Sequence, residues 1–512
     1  MNRLPGIMIT AALAVWSAGA AGTVRTRTEI LDDAAAMRAA NAAEQARLRD
    51  AVSLDAYRAL VRRDADGRAV WSDALQRALD EHEIVRIPPS SEPYWTDRTV
   101  RVPSRRRIEA AGAVVRAVPG MTTVLLRNVH TADGTRMPIA AGSRDANIAV
   151  TGGRWEESHT RRLGYGRSGK YDAPSAEQPF RGVSTCFLFN NIDGVTLKDL
   201  TFAHCAGFAV QVGDIRRFSA DRIRFESCYA DGLHINGNTE LVYATDVKGD
   251  VGDDLVALNA YDWQNSSVNF GPIRRVACDD LELAPSGRYK AIRILPGLYT
   301  FRDGSRVDCA VTDLVMSRVK GILVYKVYFQ TPAYKIRTQK PEAGAIGTAD
   351  NLHFADLDID LNAPIDNFAP YRDSDPVRGT MAAFEFGSKV GTVHFDNIRL
   401  TLHRDRYPHS YFACVGPKSV LTEKGVEIFN PQISSAVEHL RWRNVSVNGK
   451  PVDDLTPYLR EIRFDDVNRD GFSTGAGRFR NVSRDAPSHR GVLSGAAPTP
   501  PLRSRSNTEI PK

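Results

Sequence analysis

The octet VTLKDLTF, Val195–Phe202, reads apolar, any, apolar, any, Asp, apolar, any, apolar, and the same pattern returns along the chain. It is followed by FSADRIRF at Phe218–Phe225 and VYATDVKG at Val242–Gly249. Further copies are VACDDLEL from Val276, CAVTDLVM from Cys309, LHFADLDI from Leu352, VHFDNIRL from Val393 and LRWRNVSV from Leu440. Seven of the eight carry Asp or Asn in the fifth place, Arg222 being the exception, and a residue type so regularly placed marks a structural corner rather than a reactive group. Gly249 ends the third copy where an apolar residue is expected.

Alternation on both sides of a polar corner predicts two short strands joined at a bend. The first three copies start 23 and 24 residues apart, and later spacings run from 33 to 47. A period near two dozen residues, interrupted by insertions, describes a solenoid whose loops grow from one face. The Gly/Pro turn signals of a β-sandwich are not present at its spacing. The predicted fold is therefore all-β, a single-stranded right-handed parallel β-helix. An N-terminal capping helix is expected at Trp71–Glu83, where WSDALQRALDEHE has helical spacing before the strand-like IVRIP.

A second strand column follows the octets: FLF at Phe187, FAV at Phe208, LHI at Leu233, LVA at Leu255, IRI at Ile292 and ILV at Ile322. Counting the first apolar residue as position one, positions one and three face the core and position two faces outward. Outward side chains of successive turns then form a ladder with a step of roughly 5 Å.

Composition narrows the class. Of 512 residues 42% are hydrophobic and 25% charged, which excludes a disordered or a membrane-embedded chain. Arg3, the apolar run from Gly6 to Ala20 and the small residues Ala18–Ala21 predict a signal peptide over residues 1–22 and a secreted or periplasmic protein without stable membrane association. A helical segment is expected over 23–70, the β-helix over 71–484 and a disordered Pro/Ser/Arg-rich tail over 485–512. The net charge of +6 favours a polyanionic partner, and for an exported monomer an acidic polysaccharide fits better than nucleic acid. Cys205 and Cys228 lie one repeat apart, as a disulfide or as a stack of buried thiols.

The chemistry concentrates at ADGLHIN and VGDDLVALN. Asp231 lies two residues before Leu233 and Asp253 two before Leu255, so the expected register puts them in one column a turn apart, with Asp254 alongside. Three carboxylates so close raise one another's affinity for a proton, and a protonated acid beside ionised partners is what glycoside hydrolysis uses. Either Asp-Gly or Gly-Asp alone reads as turn chemistry; their coincidence in one column favours function. The expected column continues through Lys290 and Lys320, while His234 and Arg293 take outward position two, so these cations are candidates to bind a uronate carboxylate. Trp263, in the loop Tyr261–Pro272, is a candidate to stack on a sugar ring or to pack the loop.

These segments resemble the polygalacturonases of glycoside hydrolase family 28. DGLHI at Asp231 resembles the family's asparagine-threonine-aspartate-glycine segment, and GDDLVALN at Gly252 its glycine-aspartate-aspartate segment, over roughly Ala146–Tyr328. The resemblance implies inverting hydrolysis of a pectin-like glycan with no metal or cofactor, Asp253 as the acid and Asp231 with Asp254 as the base pair. Tyr289-Lys290-Ala291 stands where the family has glycine-histidine-glycine, and Leu323-Val324-Tyr325 where it has arginine-isoleucine-lysine. Two other classes fit the same residues: a Ca²⁺-dependent β-helical polysaccharide lyase with Lys290 or Arg293 as base, and a non-catalytic carbohydrate-binding β-helix.

Overall fold

The computed structural model describes residues 24–121, 124–131, 144–157, 185–262, 267–284, 292–300, 305–321, 325–328, 347–362, 380–416, 421–423, 426–428, 435–462 and 477–485. The expected signal peptide, residues 1–22, and residues 486–512 of the expected tail lie outside these residues.

The octets build a right-handed parallel β-helix. Val195 pairs with Phe218, Phe218 with Val242, Val242 with Val276, and the parallel pairing continues to the strand Arg478–Arg484. The fifth-place residues share one backbone state. Asp199, Arg222, Asp246, Asp280, Asp356, Asn397 and Asn444 all have φ between 50° and 58°. Asp and Asn tolerate this left-handed conformation better than other non-glycine residues, so the corner itself selects them. Arg222, which breaks the rule, hydrogen-bonds Asp199 in the turn below at 2.5 Å. The corner turns the chain through a bend while Val195, Leu197, Leu200 and Phe202 on either side stay fully buried. Gly249 has φ +142°, and an added Cβ would run into the carbonyl of Phe225, so no apolar side chain fits at the end of that octet.

One octet is displaced from its expected place. Val276 pairs with Leu314, so the copy runs LVMSRVKG from Leu314, with Arg318 at the corner (φ 51°), and not CAVTDLVM from Cys309. Cys309 belongs to a separate antiparallel hairpin with Gly297. Asp313, which made the earlier register attractive, is itself left-handed (φ 56°) but stands in a second corner column with Asn147, Leu241, Arg275 and Asn351.

Helix α1, Arg27–Gln45, opens with a capping box between Thr26 and Glu29. It does not close the solenoid's end. It lies along the flank, across that second corner column: Gln45 donates to the Asn147 carbonyl, Asp33 faces Arg275 at 3.7 Å, and Asn351 donates to the Arg25 carbonyl. Ile30, Ala34 and Met37 form its buried face. Ala51–Ser53 already pairs with Ile84–Arg86, so the sheet begins ahead of Trp71. Helix α2, Ser72–Glu81, buries Ala74, Leu75, Ala78 and Leu79 against the first turns. All six cysteines are buried, and Cys205 and Cys228 are free thiols.

Candidate functional site

The second strand column forms its own parallel sheet, and its register decides which polar side chains meet. Phe187, Val210, Leu233, Val256 and Ile292 align as first inward residues, and Tyr325 pairs in register with Ile292. The expected strand starts at Phe187, Leu233 and Ile292 agree with this. Those at Phe208, Leu255 and Ile322 do not, the true starts being Val210, Val256 and Tyr325. Leu255-Val256-Ala257-Leu258 is apolar throughout and fully buried, so both registers bury the run and alternation cannot choose between them.

Moving Val256 opposite Leu233 moves Asp254, not Asp253, over Asp231. Backbone bonds fix this: the Gly232 N–H donates to the Asp254 carbonyl, and the Asp254 N–H donates to Asp231 Oδ1 at 3.1 Å. Asp253 points beside the column. One oxygen from each of the three carboxylates lies within 4.8 Å of the others. Asp231 and Asp254 are buried, whereas the Asp253 side chain is 21% exposed.

Two cations hold the trio together. Arg293, two turns above His234 in the outward column, places Nε 2.6 Å from Asp254 Oδ2 and Nη2 3.1 Å from Asp253 Oδ1. His234 sits between two carboxylates, Nδ1 2.6 Å from Asp231 Oδ2 and Nε2 3.1 Å from Asp262 Oδ2. Burial opposes protonation of this ring, but the two carboxylates outweigh it and lift its pKa to about 9. Phe208 stacks on the imidazole at 3.9 Å, and Asn259 donates to Asp262 at 3.2 Å.

The ladder was expected to face solvent as an open groove, with His234 and Arg293 free to grip substrate. Both cations are instead buried and engaged with aspartates. Their charge is spent on organising the trio. Lys320 does not join the column at all. It occupies the seventh place of the displaced octet, is exposed, and pairs in register with Glu282 on the neighbouring sheet. Lys290 and Trp263 lie outside the described residues, as do the loop residues 158–184 and 329–346. Asp262, Phe208 and Asn259 were not singled out from sequence as site residues. Asp262 lies in the turn leaving its strand, beyond the alternating positions that form the ladder.

No protein-family model matches the chain, and no curated protein does. Among solved structures, the endo-xylogalacturonan hydrolase of Aspergillus tubingensis is similar at 11% identity over 84% of this chain and 99% of that one, with a TM-score of 0.43. The exopolygalacturonase of Thermotoga maritima is similar at 11% identity over 90% and 95%, TM-score 0.47. PfbA, a surface adhesin of Streptococcus pneumoniae, is similar at 12% identity over 85% and 93%, TM-score 0.34. The likeness is one of fold, and it spans enzymes and an adhesin alike. The class that fold and site define together is a parallel β-helix with an acidic cluster that contacts, among the described residues, Arg293 and His234.

Proposed function

We propose that the chain is a glycoside hydrolase acting on a pectin-like, uronate-containing glycan through Asp253, Asp231 and Asp254. The observation that carries this reading is the convergence of three carboxylates within 4.8 Å, only Asp253 of them reaching solvent. Among the described residues, Asp231, Asp253, Asp254 and Asp262 contact Arg293 and His234. Asp253 is the member of the trio that reaches solvent, and Arg293 lies farther from it than from Asp254. A shared proton is therefore best placed on Asp253, where it meets the glycosidic oxygen of a bound sugar. Asp231 and Asp254, bound by His234 and Arg293, orient a water and accept its proton as its oxygen bonds to the anomeric carbon. The glycosidic bond breaks as its oxygen takes the Asp253 proton.

Two-carboxylate inverting sites keep their groups roughly 6.5–9.5 Å apart to leave room for water. The gap in this trio is shorter. In the proposed arrangement the water lies against the stacked Asp231–Asp254 pair rather than between acid and base, and NMR of the first-formed anomer reads the outcome directly. The Ca²⁺-dependent lyase is disfavoured because Arg293 already places a positive charge on two of the three carboxylates.

The test is a screen of the purified protein on pectic and other uronate-containing glycans, scored by reducing ends, with D253N alongside. Release of reducing ends that is lost in D253N and indifferent to chelator supports the reading. An unsaturated, ultraviolet-absorbing product that disappears with chelator overturns it. So does glycan binding without turnover that D253N leaves intact.

A further inference from the structure

We propose that His234 is a positioning residue: an imidazolium, clamped between Asp231 and Asp262 under the ring of Phe208, that orients the Asp231 carboxyl and never touches substrate. The inference rests on the hydrolase reading for its effect on turnover, but the state of the ring stands on geometry alone. Both ring nitrogens lie within hydrogen-bond reach of a carboxylate oxygen, at 2.6 Å and 3.1 Å. An ionised carboxylate only accepts, so both nitrogens must carry protons for the two contacts to hold. Asn236 Nδ2 also lies 3.3 Å from Nε2, a longer contact, and it has the Asn259 carbonyl as an acceptor of its own. Its orientation is fixed, because Asn236 Oδ1 accepts from the Val268 N–H and from Gln211.

Among the described residues the ring is closed off from a ligand. His234 is 1% exposed, and Phe208 covers one face at 3.9 Å with planes 17° apart. In register, the strand below presents Gln211 and the strand above Ala257, neither of which titrates. Among the described residues, Asp231 and Asp262 are the charged groups in contact with the ring, and Arg293 acts further along on Asp253 and Asp254. Oδ2 of Asp231 is tied to His234 and Oδ1 to the Asp254 N–H, so the carboxyl is held at both oxygens. Asp262 supplies no chemistry itself. It balances the imidazolium's charge on the far side, much as the third member of a nucleophile–base–orienter set does.

The decisive measurement is the ¹⁵N spectrum of histidine-labelled full-length protein, with H234Q assigning one of eleven histidines. Two protonated nitrogens at neutral pH are expected in the native protein, and a single-proton neutral tautomer at the same pH in D262N. On pectic substrate, H234Q should lower kcat by about tenfold or more while leaving KM within about twofold. D262N should move the alkaline limb of kcat/KM to lower pH, a shift that a merely structural role would not cause. A neutral ring in the native protein overturns the proposal, as does an unmoved alkaline limb in D262N or unchanged kcat in H234Q. If no glycan is turned over by the native protein, the hydrolase reading fails by itself, and the ¹⁵N spectrum still decides the state of the ring.

Discussion

The backbone N–H of Asp254 donates to Oδ1 of Asp231 at 3.1 Å, so the two aspartates stand directly over one another in successive turns. A side chain from one turn is thereby built into the backbone of the next. The acidic cluster is part of the solenoid's frame, and loss of activity and loss of stability separate along it. D254A takes from buried Arg293 its 2.6 Å partner and leaves it the longer contact to Asp253. Breaking a buried pair this way costs about 3–5 kcal/mol. D253N removes a partly exposed contact and should cost no more than about 1 kcal/mol. Both variants should lose turnover. Chemical denaturation should therefore find D253N near native stability and D254A far below it; equal losses would place Asp253 in the frame as well.

The clamp on His234 gives stability a pH dependence of definite sign. The folded-state pKa is raised from 6.5 to about 9 by Asp231 and Asp262, against the opposing effect of burial. The folded protein then binds the proton more tightly than the unfolded chain does. This stabilisation is complete below about 6.5 and is lost as pH rises through 9, with a magnitude on the order of 3 kcal/mol. The melting temperature of the native protein should fall across that window, and that of H234Q should fall less. Parallel curves would show that the ring does not gain a proton on folding.

Glu157 carries the opposite kind of acid. Burial raises its pKa to about 7, although the Ala206 N–H, 2.6 Å away, and the Gly207 N–H both favour the carboxylate. A raised acid in the folded state contributes stability below its unfolded value of 4.5, and that contribution is lost as pH climbs towards 7. E157Q, which cannot ionise, should melt closer to the native protein at low pH and gain on it at pH about 8. The turn that Glu157 holds leads into Phe208, the ring over His234, so the same variant tests whether this turn sets the cover on the clamp.

How much of this was legible in sequence follows from what each signal measures. The octet exposed the solenoid because its fifth place demands a left-handed residue, and Asp199, Asp246, Asn397 and Asn444 answer that demand in the chain itself. The same signal misled at Cys309, since Asp313 is left-handed too but belongs to the other corner column. Asp231, Asp253 and Asp254 were found together by spacing. Their true stacking was hidden because Leu255-Val256-Ala257-Leu258 is apolar at every position, so a slip of one residue leaves no polar side chain in the core to betray it. The burial of His234 and Arg293 was beyond a ladder reading, which orders residues along the axis and is blind to what covers them.

The second corner column offers a stability test free of the site. Asn147, Arg275, Asp313, Asn351 and Leu241 all take φ between 53° and 56° there. Leucine is the poorest fit: its side chain cannot bond back to the local backbone, and its Cβ crowds the following carbonyl at a cost of roughly 1–2 kcal/mol. Leu241 is only partly buried, so shortening it forfeits little apolar burial. L241N keeps a side chain suited to the left-handed region, and L241G removes the Cβ clash while loosening the unfolded chain. L241N should therefore raise the melting temperature, L241G should raise it less, and L241V should lower it because a β-branched residue is worse still at positive φ. D313V, in the same column, should be destabilised in the same sense as L241V. If L241N melts below the native protein, the Leu241 side chain contributes more packing than its partial exposure indicates, and the corner conformation is not what limits stability there.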